Sequence, residues 1–131
     1  MAERTPLLLL PGLLCDAGLW VHQSEALADV AEVQVADLTQ DDRVEAMAAR
    51  VLAQAPARFA LAGLSMGGYV AFEILRQAPE RVSRLALLDT TAAPDSPERA
   101  LQRRRSLAIL KRGRFLGVTQ QLLPTLVHPR H

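Results

Sequence analysis

FALAGLSMGG, residues Phe59 to Gly68, is the stretch whose reading decides the fold. An apolar run, Phe59 to Leu64, breaks into Gly63-Leu64-Ser65-Met66-Gly67 and continues as a helix-like segment, Gly68 to Gln77. Strand, sharp turn and helix in that order are the context in which G-x-S-x-G marks a nucleophile elbow. Gly63 and Gly67 leave room where strand and helix pass close, which lets Ser65 occupy a strained turn. The serine then stands at a helix N-terminus, whose unpaired N–H groups favour developing negative charge. The alternative is an ordinary buried turn, since the five-residue pattern also arises by chance; the flanking strand and helix signals favour the elbow.

Working outward, Leu7 to Leu10 is a continuous apolar run without polar alternation, as expected of a strand covered on both faces of a parallel sheet. Pro11-Gly12 ends it, and Asp16 is a plausible N-cap for a helix from Ala17 to Ala28 with Leu19, Trp20, Gln23 and Leu27 along one side. Trp20 reads first as a packing anchor there. Ala31 to Asp37 reads as a second, more exposed strand with Val33 and Val35 on one face. Arg43 to Gln54 carries the clearest helical stripe, Val44, Met47, Ala48, Val51 and Leu52, and Asp42 with Glu45 resembles a capping box. After the elbow helix, Pro79 precedes a fourth strand, Val82 to Asp89.

Four strands alternating with three helices predict an α/β fold: an open, mostly parallel, doubly wound sheet with helices on both faces. Residues 1–92 form this core. Past Asp89 comes a loop with Pro94 and Pro97, a helix from Glu98 to Lys111, and a second helix-like segment from Phe115 to Val127. Residues 93–131 therefore read as the start of a helical cap or lid. No fifth strand is legible, so Arg84 to Asp89 is expected to be an exposed apolar edge, and such edges aggregate or pair with a second copy. The expectation is a weakly folded chain or a homodimer through residues 84–89.

With 131 residues, half of them hydrophobic, the chain has material for one core. Fifteen basic against fourteen acidic side chains leave a formal charge of +1, which offers no argument for nucleic acid. Arg103, Arg104, Arg105, Lys111, Arg112 and Arg114 read as a solvated helix face rather than an anion patch. The single cysteine, Cys15, excludes an internal disulfide framework and fits a reducing, cytoplasmic setting. Pro11 and Gly12 interrupt the leucine run too early for a secretory signal, and no run approaches the length of a membrane span. The histidines lack a metal-ligand spacing and no G-x-G-x-x-G follows a strand, so neither metal nor cofactor is expected.

If the first and third strands are neighbours, the loops Pro11 to Asp16 and Gly63 to Gly67 meet at the carboxyl edge where the winding reverses, and line one crevice. Here the sequence resembles the α/β-hydrolase fold family. The resemblance rests on LLLLPGLLCDAGLW (Leu7 to Trp20), GLSMGG (Gly63 to Gly68) and PERVSRLALLD (Pro79 to Asp89), and runs the length of the chain. Look-alikes within the family are small soluble esterases, enol-lactonases and carbon–carbon bond hydrolases. The resemblance implies Ser65 as nucleophile, with the backbone N–H groups of Met66 and Leu13 forming the oxyanion hole; donors from those two loops would converge on one carbonyl oxygen. Gly12, Leu14 and Trp20 are then candidate substrate contacts.

In the family the acid and the histidine of the triad follow on loops after later strands. Those strands are not recognisable here, so the triad is expected to be incomplete as read, since a serine hydroxyl requires a base within reach. Asp89, at the end of the fourth strand, is the candidate acid. Among histidines, His22 lies inside a helix beside the sheet, while His128, the candidate base, and His131 follow the lid-like segment. Cys15 as an alternative nucleophile has no basic neighbour in sequence. Three functions remain open: serine-dependent hydrolysis of an ester, thioester or similar carbonyl compound; a non-catalytic small-molecule binding or dimerisation module; and an acyltransferase using the same turn.

Overall fold

A computed structural model describes residues 3–113 and 123–131 of the chain. It divides into two compact units, Met1–Ala92 and Ala93–His131. The first unit holds strands β1 (Thr5–Leu10), β2 (Ala31–Val35), β3 (Phe59–Leu64) and β4 (Val82–Leu88), with helices α1 (Val21–Ala26), α2 (Val44–Gln54) and α3 (Met66–Gln77). The strands form one parallel sheet in the order β2-β1-β3-β4. The winding reverses between β1 and β3, as the sequence predicts.

Alternation along β1 and β3 sorts the two faces of the sheet. Leu8, Leu10, Phe59 and Leu61 point to the face covered by α2 and α3, where Ala48, Val51, Val70, Ala71 and Ile74 meet them. The expected stripe on α2 faces this cluster in full, with Val44, Met47 and Leu52 at its margin. On the opposite face Trp20 packs on Leu9 and Ala62. Phe59, Leu9, Leu10, Leu61, Ile74 and Val70 are among the fully buried side chains. Each contributes on the order of 1.5–3 kcal/mol by leaving water.

Two local expectations are corrected. The helix expected from Ala17 to Ala28 is a 3-10 turn, Ala17–Trp20, capped by Asp16 Oδ1 accepting from the Gly18 N–H at 2.8 Å, followed by the six residues of α1. None of Val21–Ala26 is buried, so no packing surface extends a longer helix. The capping box at Asp42 is absent too: the N-cap is Arg43, in extended conformation and without a side-chain cap bond. A box counted from Arg43 needs its acid at Ala46, and Glu45 instead lies 3.8 Å from the Arg43 guanidinium.

The end of α2 is closed from a distance. The Arg81 guanidinium donates to the carbonyls of Leu52 (3.0 Å), Ala55 (2.9 Å), Pro56 (2.7 Å) and Ala57 (3.2 Å) and lies 5.6 Å from the Phe59 ring centroid. One cation thus satisfies Leu52, an orphan acceptor of the helix C-terminus, together with the C-cap carbonyl and the turn into β3. β4 is different from its neighbours: Ser83 to Leu88 are all exposed, and Leu85, Leu87 and Leu88 each keep about 40% of their surface in water. Among the described residues it pairs with β3 alone.

In the second unit, α4 (Pro97–Lys111) is capped by Ser96 Oγ, which accepts from the Arg99 N–H at 3.2 Å, and has no buried residue. Its arginines line a solvated helix, with Arg103 paired to Asp95 at 2.9 Å. The helix expected over Phe115 to Val127 falls largely on residues 114–122, outside the described residues; α5 (Leu123–Leu126) covers part of the rest. No described helix is long and apolar enough to cross a membrane.

Candidate active site

Ser65 sits between β3 and α3 with φ 53° and ψ −115°. Such backbone is costly for a residue with a Cβ, and the surroundings hold it in place. Its N–H donates to the Leu88 carbonyl at 3.0 Å, continuing the β3–β4 ladder by one residue. Its carbonyl accepts from the Gly68 N–H at 2.9 Å and from the Thr90 hydroxyl at 2.8 Å. The glycines serve close approach. A Cβ on Gly63 would stand 2.5 Å from the Gly67 carbonyl oxygen, and one on Gly67 would collide with the carbonyl of Leu10 at the end of β1.

Serine is a favoured N-cap because its oxygen accepts from the first turn. Ser65 occupies the N-cap position of α3 and makes no such bond. Its oxygen is thus not spent on capping, at the positive end of a 12-residue helix. Met66 opens α3, where an N–H has no intrahelical acceptor.

Leu14 (φ 60°), Ser65 (φ 53°) and Asp89 (φ 44°) are the non-glycine residues of positive φ among those described. Each lies past the carboxyl end of a strand, β1, β3 and β4 respectively. Backbone strain concentrated on one rim of a parallel sheet is typical of a functional edge. The register pairs Leu64 with Leu88, which sets Ser65 and Asp89 side by side at the ends of adjacent strands.

Beside the elbow lies a crevice of about 430 Å³. Gly12, Leu13, Leu14 and Cys15 from the loop after β1 line one side, with Met66. Leu13 and Leu14 are 67% and 51% exposed there. The opposite wall, Leu38, Thr39, Asp41 and Met47, comes from the loop after β2 and the start of α2. Sequence reasoning missed this wall, although β2 next to β1 implies that its loop reaches the same rim.

The missed loop is tied down by charge. Asp37 accepts from the Thr39 hydroxyl (2.6 Å), the Thr39 N–H (2.9 Å) and the Gln40 amide (3.1 Å), and these bonds hold its carboxyl below the usual range. Asp41 takes a two-pronged pair from Arg50 at 2.6 and 3.1 Å, which lowers the acid and raises the base.

The structure thus brings Gly12, Leu13, Leu14 and Met66 to one crevice, and Ser65 immediately precedes Met66. Trp20 is not on that crevice; it is buried against Leu9 and Ala62. Cys15 lines it, with its thiol 3.5 Å from the Leu13 carbonyl oxygen. His22, the histidine of the first unit, is exposed on α1. His128 belongs to the second unit, where its Nδ1 accepts from the Arg130 N–H at 3.3 Å and its ring lies 6.4 Å from that of His131. No group of three or more potential metal ligands occurs among the described residues.

Sheet order, the turn at Ser65 and the reversal point together define an α/β-hydrolase fold. The chain is 36% identical to a thermophilic esterase from Thermogutta terrifontis of this fold, with a TM-score of 0.68 over 82% of this chain and 45% of that one. Among curated proteins it is similar to two pimeloyl-[acyl-carrier protein] methyl ester esterases. That of Pectobacterium carotovorum is 39% identical over 92 residues, 64% of this chain and 36% of the relative; that of Nitrosomonas europaea is 31% identical over 93 residues, 65% and 37%. The chain therefore spans less than half the length of these three relatives. No family model matches it.

Proposed function

We propose that the chain carries the nucleophile half of a serine esterase site. Ser65 Oγ attacks the carbonyl carbon of an ester or similar compound, and the N–H groups of Met66 and Leu13 receive the oxygen as it gains charge. The observation that carries this reading is the conformation of Ser65: a strained N-cap serine whose hydroxyl is withheld from capping. A serine placed to stabilise a helix would accept from that helix's first turn. The likeness to esterases supports the same bond class.

Chemically, attack forms the Oγ–C bond and leaves negative charge on the former carbonyl oxygen. Collapse expels the alcohol, and water then releases the acid from the acyl-enzyme. The proton leaving Oγ needs an acceptor. Asp89, adjacent in register at the end of β4, is the acid assigned to orient one. Were no histidine to act as base, the oxyanion donors alone would sustain only a residual acceleration, on the order of 10³–10⁴ over water. The test is a fluorophosphonate probe on the folded chain. Labelling that disappears in Ser65→Ala is expected; a folded sample that takes no label, or labelling that survives the substitution, refutes the assignment.

A further inference from the structure

The crevice beside the elbow has a shape and chemistry that the roles of Ser65, Met66 and Leu13 do not account for. Its far wall is the loop after β2 and the first turns of α2, and its volume, about 430 Å³, lies within the usual range of small-molecule sites, about 300–1,000 Å³. We propose that this crevice is the acyl-chain subsite, that it takes an uncharged, unbranched chain of medium length, and that Met47 is the residue that sets the preferred length. The assignment rests on reading Ser65 as the nucleophile, because that reading fixes where the carbonyl lies.

Three observations carry it. First, the crevice begins at the oxyanion donors. Leu13 and Met66 both line it, as do Leu38 and Met47, so a carbonyl held by the N–H groups of the first two lies beside the space its chain would fill. Second, its walls are apolar and adaptable. Leu13 and Leu14 stand largely exposed on one side, and two unbranched thioethers, Met47 and Met66, reach it from helices rooted in the core. Such side chains mould to a flexible methylene chain.

Third, the charged groups that line it, Asp16 and Asp41, are both acidic and already engaged. Asp41 is paired to Arg50, and Asp16 Oδ1 caps Gly18. No lysine or arginine lines the crevice, so a chain ending in a carboxylate would be desolvated against two acids with nothing to pair with. Because Asp37 pins Thr39 and Gln40, the far wall does not retreat as the ligand grows.

The test needs no turnover. The chain has three methionines, Met1, Met47 and Met66. In the full chain labelled at the methionine methyl carbons, Met47→Leu assigns the signal, and straight-chain 2-ketones from butanone to decanone serve as uncharged, unreactive probes. The Met47 and Met66 methyls are expected to shift saturably while Met1 does not, with affinity rising about fourfold per methylene until the wall is met. 8-Oxononanoate, the same 2-ketone with a carboxylate in place of the far methyl, should bind at least about tenfold more weakly than 2-nonanone. In Met47→Ala the break in the length series should move to longer ketones.

A Met47 signal that stays still, an affinity independent of length, or 8-oxononanoate binding as well as 2-nonanone overturns the proposal, whether or not Met47→Ala folds. Failure of the underlying reading looks different. Ketone-dependent shifts at Met47 with no fluorophosphonate label on Ser65 remove the nucleophile and leave a binding crevice. Label without shifts retains the nucleophile and refutes the subsite.

Discussion

Ser65 depends on a neighbour 25 positions away, Thr90, whose hydroxyl donates to its carbonyl while the same side chain lies over Gly68. The Gly68 N–H also serves that carbonyl, so removing the hydroxyl does not orphan the acceptor. Thr90→Val keeps the shape and is expected to lower stability by about 1 kcal/mol. Because the bond holds the strained residue itself, fluorophosphonate labelling should fall by more than stability does, and Thr90→Ser should restore it. Equal labelling in Thr90→Val and the unsubstituted chain would make the contact merely structural. A second residue-scale expectation concerns acid. Glu73 accepts from Arg76 and from Gln77, which pulls its carboxyl from 4.5 to about 2. A folded-state value below the unfolded one stabilises above the unfolded value and is lost as pH falls through the folded one. Part of the acid sensitivity between about pH 4.5 and pH 2 should therefore vanish in Glu73→Gln, by a small amount since Arg76 is mostly solvated. Urea midpoints measured across that range in both chains decide it.

At the scale of elements, the join between α2 and β3 rests on Arg81. Arg81→Ala strands four carbonyls and uncovers the Phe59 ring, and should cost about 2–3 kcal/mol. Arg81→Lys should recover little of this, because an ammonium cannot span acceptors arrayed for a planar fork. Thermal melts of the two variants falling together, well below the parent, are the expected result. What was legible in the sequence follows from how each element is buried. β1 and β3 are covered on both faces, so their apolar runs are continuous; α2 and α3 carry stripes because one side of each lies on the sheet. The sequence predicts too long an α1 because Leu19, Trp20, Gln23 and Leu27 are spaced like a helical stripe, of which Trp20 alone is buried. The turn at Ser65 was legible because its glycines are a steric requirement. The far wall of the crevice was not, since Leu38 and Met47 reach it only through the tertiary placement of the loop after β2. Nor did any local signal mark Thr90, which acts across the sheet.

For the molecule as a whole, β4 is the element with the least support. Leu88 turns its carbonyl to β3, so Leu85 and Leu87, out of phase with it, direct their N–H and C=O groups to the open edge. A two-fold axis at Ala86 would set Leu85 of one copy opposite Leu87 of the other, exchanging two hydrogen bonds at each pair and clustering four leucines. No like charges oppose in that register, since Arg84 meets Leu88. Sedimentation should accordingly show self-association that weakens in Leu85→Lys, a charge that edges use to block pairing. A monomer at tens of micromolar, unchanged by the substitution, would contradict it.

Trp20 closes off a different matter. It is the chain's single tryptophan, 4% exposed, and its indole N–H makes no hydrogen bond among the described residues. Its emission should lie at the blue end of the tryptophan range and move red only when the sheet face under it opens. Helix α4, in the other unit, contributes to circular dichroism and is silent in that emission. Two optical signals from one cuvette therefore separate the units: coincident melts mean that they unfold together, and a dichroism loss that precedes the fluorescence shift means that residues beyond Ala92 come apart on their own.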